Sequence, residues 1–309
     1  MVLNSETVET IQHGAADTLH AAAQTGGHGE AEGNLFTQLL HHLKDSHEIE
    51  YPGGHLELPH FAPIHIGELT IDLSITKHVL FMWVAAIILG TIVISAARKN
   101  SRSLIPKGIG NLIEVFVQFI RDDVALPNMG KSGLKYMPYL LTTFFFILTM
   151  NLLGLIPYGA SATGNISVTL ALAVIAFVMI QVSAVKAQGF GHYLAHLTGG
   201  VHWMLWPIMV PIEILGLFTK PFALCIRLYA NMTGGHIVIV SMIGLIFLFK
   251  SYLIAPASIG FVAAINMLEL FVAFLQAYIF TMLTSLFMGL GIKAGEEHAA
   301  HEAHAGHGH

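Results

Sequence analysis

The sequence has few charged residues and almost no cysteine for its length. Charged side chains make up 11% of the 309 residues and hydrophobic ones 54%, which excludes an ordinary soluble core with a polar shell. The single cysteine, Cys225, excludes a disulfide framework or a cysteine-based metal site within the chain. No signal peptide is evident, because the first ten residues have neither a basic nor an apolar segment. The composition therefore predicts an integral membrane protein.

The polar residues are concentrated at the two ends of the chain. Residues 1–70 are rich in His, Gly, Glu and Ala with little apolar periodicity, which is typical of a flexible polar tail without chemistry of its own. Residues 71–292 are predicted to form the membrane domain. Residues 293–309 are a second His-rich tail, which we expect to be disordered. Its histidines would bind divalent ions in vitro, but no zinc motif such as HExxH occurs, so we expect no metal and no cofactor.

Apolar runs and the basic residues beside them predict the topology. Residues 78–97 are long enough to span a bilayer. Arg98 and Lys99 follow this span at once, and because basic residues favour the cytoplasmic side, the N-terminus is predicted to lie outside. Five spans that start outside then place the C-terminus in the cytoplasm. Residues 108–127 alternate apolar and polar side chains at helical spacing, which predicts a helix lying on the cytoplasmic surface. Second and third spans follow at 137–156 and 167–185.

Two apolar stretches are too long for upright helices. Residues 206–249 would reach roughly 65 Å as one helix, and residues 258–291 about 50 Å, against a hydrocarbon core of about 30 Å. Each helix is therefore either broken, as Pro221 or Gly234 would allow, or steeply tilted. We favour two long, unbroken, tilted helices that form a hairpin. The predicted fold class is an all-α integral membrane protein with five transmembrane helices and one amphipathic surface helix.

Polar side chains inside the fourth span form a stripe. Glu213, Lys220 and Arg227 are seven residues apart, which keeps them on one helix face, and Asn231 joins them one turn later. A charge at mid-membrane costs at least about 2.5 kcal/mol, so such residues are functional candidates. Because arginine does not lose its proton in proteins, Arg227 is predicted to act as a fixed charge that favours ionised carboxylates and repels protons.

Histidine and glutamate, by contrast, titrate near neutrality when their surroundings favour it. His236 and Glu269 are therefore the candidate proton carriers, and both lie on the outer side of Arg227 in the predicted topology. Gln276 follows Glu269 by seven residues and shares its helix face. Polar groups on both sides of a charged barrier suggest two half-channels.

Plainer explanations exist for several of these residues. Lys220 and Glu213 also fit residues that snorkel to the interface. His236 also fits a packing histidine, and Glu269 its structural partner. Asn231 and Gln276 also fit polar contacts that hold helices together.

The segment KPFALCIRLYANMTGGHIVI resembles the arginine-bearing helix of subunit a of F-type ATP synthases, and MLELFVAFLQAYIFTMLTSLF resembles the second signature of that family. The resemblance covers roughly residues 65–298. It implies a stationary proton-channel subunit that is not an enzyme alone and sits in the bacterial inner membrane. It also implies as partners a rotating ring of c subunits, peripheral stalk b subunits, the other synthase subunits and lipids, and no nucleic acid.

Carried over to this chain, the resemblance implies that Arg227 faces the ring carboxylates with Asn231 and Gln276 in support. His236 and Glu269 would line the outer half-channel, and Glu213 would border the inner one. Many bacterial members have Glu where this chain has His236 and His where it has Glu269, so the pair is exchanged, as in mitochondrial members. The exchange leaves the order of proton transfer between the two residues open.

Other function classes are less consistent with the sequence. A secondary transporter uses intramembrane charges and broken helices, but it predicts an inverted repeat, and the arginine stripe has no second copy. A haem-binding cytochrome requires histidines paired across helices at mid-membrane, whereas His236 stands alone well inside the last four spans.

Overall fold

The computed structural model describes residues 48–51, 54–57, 64–66, 69–71, 76–102, 108–156, 161–197, 204, 206–249 and 254–306. The remaining residues include most of the predicted N-terminal tail and the last three residues of the chain, and predictions for them lie outside the described residues. The described chain forms two compact units, Met1–Leu80 with Gly234–Leu268 and Phe81–Thr233 with Glu269–His309.

Two short hairpins precede the first helix. Strand β1 (Glu48–Tyr51) pairs antiparallel with β2 (Gly54–Glu57), so that Glu48 lies opposite Glu57. Strand β3 (Ile64–Ile66) pairs antiparallel with β4 (Leu69–Ile71). The sequence predicts a flexible tail here, whereas these residues form strands. Each pair of strands is separated in sequence by two residues that include a glycine, a spacing typical of tight hairpins.

From residue 77 onward the regular structure within the described residues is helical. The helices are α1 (Lys77–Arg102), α2 (Ile109–Phe119), α3 (Leu126–Met129), α4 (Met137–Gly154), α5 (Ile166–Gln188), α6 (Phe190–Leu197), α7 (Trp206–Phe249) and α8 (Ile254–Gly306). Five helical segments in these residues are long and apolar enough to cross a membrane: Lys77–Asn100, Lys131–Gly154, Ile166–Gln188, Trp206–Ile239 and Ser258–Glu296. The predicted fold class of five membrane helices is thereby confirmed.

Helices α7 and α8 are continuous, with 44 and 53 residues. Pro211 and Pro221 lie inside α7 without ending it. Proline removes a backbone hydrogen bond, but helices in membranes tolerate it when neighbouring groups satisfy the freed carbonyls. The prediction of unbroken helices is therefore confirmed, and the steep tilt stays a prediction. The hairpin loop lies outside the described residues.

The predicted surface helix is only partly a surface element. Helix α2 is followed by a π-helical turn, Ile120–Ala125, whose Ile120 and Val124 are completely buried. The ring of Phe116 packs against Phe144 and Phe274, with centroids 5.8 Å from each. This segment is thus anchored among α4 and α8, whereas its placement at the membrane surface stays a prediction.

The C-terminal end of α8 is also anchored by polar contacts. The Gln188 side chain donates to the Gly291 carbonyl over 2.9 Å, and the Ser132 hydroxyl donates to the Glu296 carboxylate. The helix then continues to Gly306, which differs from the expected disordered tail. Alanine and glutamate are frequent in this segment and favour helix, which accounts for the difference.

We predict that Gly289→Ala destabilises the protein, because a Cβ atom at this position would collide with the backbone carbonyl of Asn128. Overpacking of this kind costs about 1–3 kcal/mol, which we expect to lower the amount of folded protein in the membrane and its midpoint of thermal unfolding. Gly90→Ala is the matched control, since a Cβ there meets nothing within 4 Å. Equal stability of the two variants would contradict the packing described for α8.

Candidate functional site

Two contacts define how α7 and α8 meet within the unit that contains Phe81–Thr233 and Glu269–His309. The Asn231 side-chain nitrogen donates to Oε1 of Gln276 over 2.6 Å. The Lys220 ammonium lies 5.0 Å from the centre of the Phe287 ring. Lys220 lies 11 residues before Asn231 in α7 (231 − 220), whereas its partner Phe287 lies 11 residues after Gln276 in α8 (287 − 276). The two helices therefore run antiparallel. Because 11 residues make about three turns, both contacts lie on the same face of each helix.

A small cavity lies beside the Asn231–Gln276 hydrogen bond. It is lined by Asn151 of α4, by Leu228, Asn231 and Met232 of α7, and by Glu269, Val272, Ala273 and Gln276 of α8. The space open to the centres of water molecules is about 10 Å³, which is close to the minimum for one water. The structure thus brings together three of the predicted site residues.

Three polar atoms of these residues are buried without a hydrogen-bond partner in the described part of the chain. They are the two carboxyl oxygens of Glu269 and Nε2 of Gln276. The side chains are 5% and 3% exposed, so bulk solvent does not satisfy them. An unpaired polar group in such a place is costly to stability, and its presence points to a functional role.

Asn151 is a polar residue of this site that the sequence analysis missed. Its Nδ2 donates to the Ala273 carbonyl over 3.3 Å, and its Oδ1 accepts a bond from Thr163 over 2.7 Å. The hydroxyls of Ser161 and Thr163 lie 2.8 Å apart. A buried asparagine in the middle of an apolar run was the available signal for it.

Arg227 lies one turn before Asn231 and faces outward. Its side chain is exposed, whereas the adjacent Leu228 and the preceding Leu224 are buried in the core. No hydrogen bond or ion pair joins its guanidinium to the residues that the structure describes. Exposed apolar side chains lie beside it on α7, among them Ile226 and Phe222. A charge on a membrane-crossing helix, without an internal partner, requires a partner outside the chain or water.

Glu213 lies in a separate environment on α7. It contributes to the raised pKa of Tyr193 in α6, after the larger effect of burial, so the two side chains are near each other. The Tyr193 hydroxyl in turn donates to Oε1 of Gln181. Lys220, on the same predicted stripe, contacts the Phe287 ring. The stripe therefore has different neighbours along its length.

His236 belongs to the unit formed by Met1–Leu80 and Gly234–Leu268. Its ring is half-buried, and its Nε2 has no hydrogen-bond partner in the described residues. Its pairing with Glu269 stays a prediction.

Comparison with known proteins decides the family. The family model "ATP synthase A chain" matches residues 79–289. The chain is 52% identical to ATP synthase subunit a 2 of Chlorobaculum tepidum over 307 residues, which cover 97% of this chain and 86% of the relative. It is 55% identical to ATP synthase subunit a of Chlorobium phaeobacteroides over 285 residues, which cover 90% of this chain and 82% of that protein. A more distant relative, ATP synthase subunit a of Anaeromyxobacter dehalogenans, is 45% identical over 96% of this chain and 84% of its own length.

The chain belongs to the ATP synthase A chain family. The resemblance noted in the sequence is thereby confirmed. The family is a membrane component of ATP synthase and is not catalytic by itself, which also confirms the prediction that this chain is not an enzyme alone.

We predict that Asn231 and Gln276 are energetically coupled. Replacing each by leucine, singly and together, gives a double-mutant cycle, for which we expect a coupling of about 0.6 kcal/mol, the average for interhelical hydrogen bonds in a membrane protein. The measurement is the unfolding free energy of the purified subunit in mixed micelles titrated with SDS. Thr91→Val combined with Gln276→Leu is the control, because the Thr91 hydroxyl bonds to its own helix at Ile87. A coupling no larger than in this control would contradict a direct hydrogen bond.

Proposed function

We propose that this chain is the stationary proton-channel subunit of an F-type ATP synthase, in which Arg227 separates two half-channels and faces a rotating ring of c subunits. The observation that carries the proposal is the exposed guanidinium of Arg227, which has no partner among the described residues. A permanent positive charge on a membrane-crossing helix favours the ionised form of a carboxylate brought against it from outside the chain. Family membership supplies the complex in which such a partner moves.

The proposed mechanism is electrostatic. A ring carboxylate travels through lipid in its neutral, protonated form, because an ion in hydrocarbon is costly. When rotation returns it to Arg227, the guanidinium stabilises the carboxylate anion and the proton leaves toward the cytoplasm. Arg227 itself carries no proton, since arginine stays charged in proteins. Its fixed charge also repels a proton that would cross directly between the half-channels.

Glu269 is the proposed proton carrier of the outer half-channel together with His236. In support, the Glu269 carboxyl is buried against a cavity with room for about one water molecule, and neither of its oxygens is used in a structural hydrogen bond. A water there would accept from Nε2 of Gln276 and donate to Glu269, satisfying both groups. Glu213 is proposed to border the inner half-channel, where Tyr193 is its neighbour.

Asn231 and Gln276 are proposed to support Arg227. Their hydrogen bond fixes α7 against α8 one turn from the arginine. A fixed charge acts on its partner with an energy that depends on their separation, so this contact limits how far Arg227 can move. The further proposed partners are the peripheral stalk b subunits, the other synthase subunits and lipids, in a bacterial inner membrane with the N-terminus outside and the C-terminus in the cytoplasm.

We expect Arg227→Ala to abolish ATP-driven proton pumping in membrane vesicles that contain the complete complex. A charge pair at 4 Å contributes about 4 kcal/mol at an effective dielectric of about 20, so pumping should fall at least about 100-fold. Lys220→Gln is the matched control, because it removes a cation two turns away that contacts Phe287, and it should retain most of the pumping. Normal pumping by an assembled Arg227→Ala complex would refute the proposal.

We expect Glu269→Gln to slow proton flow through the membrane sector about 100-fold, as is typical when a proton-transferring side chain is removed. Glutamine has nearly the same size, and Glu269 makes no hydrogen bond to the described residues that would be lost, so assembly should be preserved. The measurement is passive proton conductance of vesicles after the catalytic sector is removed, normalised to the amount of complex. If Glu269 has only a structural role, the glutamine variant will conduct as well as the original protein.

A further inference from the structure

A chain of buried hydrogen bonds leads from the segment before α5 to the backbone of α8. It joins Ser161, Thr163, Asn151 and the Ala273 carbonyl over 2.8, 2.7 and 3.3 Å. The three side chains are 4%, 0% and 2% exposed, in the order given. Ala273 lies one turn after Glu269, and both line the cavity of the candidate site.

The direction of each bond in this chain follows from its chemistry. A backbone carbonyl only accepts, so the amide nitrogen of Asn151 must face Ala273 and its oxygen must face Thr163. Thr163 has one hydroxyl proton, and it donates that proton to Asn151. In the contact between the two hydroxyls, Ser161 is therefore the donor and Thr163 the acceptor. The series of hydrogen bonds ends on the Ala273 carbonyl, which holds no proton. Because the Asn151 amide is neither an acid nor a base near neutral pH, this series of hydrogen bonds is unsuited to carrying protons.

The packing around Asn151 is tight on a second side. Gly154 lies three residues later on α4, and a Cβ atom there would be 2.5 Å from both Cβ of Ser161 and Cε of Met232. Met232 belongs to α7 and lines the same cavity. The turn of α4 that contains Asn151 and Gly154 therefore contacts the segment before α5, α7 and α8.

We propose that Asn151 is a positioning residue for proton transfer at Glu269. By holding the Ala273 carbonyl, Asn151 fixes the turn of α8 that carries Glu269, and Thr163 and Ser161 fix the Asn151 amide in turn. The cavity beside Glu269 then keeps the size and shape that proton transfer requires. This inference rests on the proposed function, because it concerns the same proton path.

The test uses vesicles that contain the complete complex and compares proton flow per assembled complex. Asn151→Leu and Thr163→Val both interrupt this series of hydrogen bonds without changing side-chain size greatly. Each should lower proton flow about tenfold, because a small misplacement of a reacting group has a large effect on the rate. Together they should lower it no further than Asn151→Leu alone. Thr163→Ser restores the hydroxyl and should recover most of the flow.

Thr149→Val is the matched control for Thr163→Val. It removes a hydroxyl from α4 that bonds to its own helix at the Phe145 carbonyl over 2.7 Å, and it should leave flow unchanged. If Asn151 and Thr163 served folding alone, their variants would lower the amount of complex but not the flow per complex, and that result would overturn the proposal.

Failure of the proposed function is distinguishable, because in that case Arg227→Ala complexes would pump normally whatever the Asn151 variants do.

Discussion

The hydrogen bond from Asn231 to Gln276 sets the register of α7 against α8, and the arrangement of the site follows from that register. In hydrocarbon an amide has few other partners, so an interhelical bond of this kind is specific even where its net energy is modest. With Asn231 against Gln276, the buried leucines of α7, Leu224 and Leu228, face the core. Arg227 then falls on the outer side of the same helix, because it precedes Leu228 by about 100°.

The two unpaired ionisable groups of the site differ in where they point. Arg227 is exposed beside apolar side chains, which is the setting for a charge that meets a partner from another chain. Glu269 is buried against a small cavity, which is the setting for a group that exchanges a proton with water. Neither placement stabilises the fold, since both leave polar atoms unsatisfied. Functional sites are where such a cost to stability is expected.

The membrane helices were predictable because apolar runs of about 20 residues or more carry the signal by themselves. Arg227, Glu269 and Gln276 stood out for the same reason, as polar side chains in those runs. The burial of Ile120 and Val124 was not predictable, since it depends on contacts with distant segments and on a π-helical turn that sequence periodicity does not reveal. Asn151 carried a signal that was overlooked, but its bonds to Thr163 and Ala273 join residues 12 and 122 positions apart, and only the fold brings them together.

Several polar contacts, spread along helix α8, hold that helix in place. The Val124 carbonyl accepts from both Ser285 and Asn128 over 3.1 and 2.8 Å, Gln188 bonds to the Gly291 carbonyl, and Asn151 bonds to the Ala273 carbonyl. These contacts come from different segments and are spread along one helix, so they restrain both its translation and its rotation. Since Glu269 and Gln276 belong to that helix, their positions are fixed with it, and Asn231 extends the restraint to α7. In the proposed function a moving carboxylate passes the fixed charge of Arg227, and the energy of that interaction depends on their separation. The helices that carry and support Arg227 would then have to stay still, which is what the bonds to α8 favour.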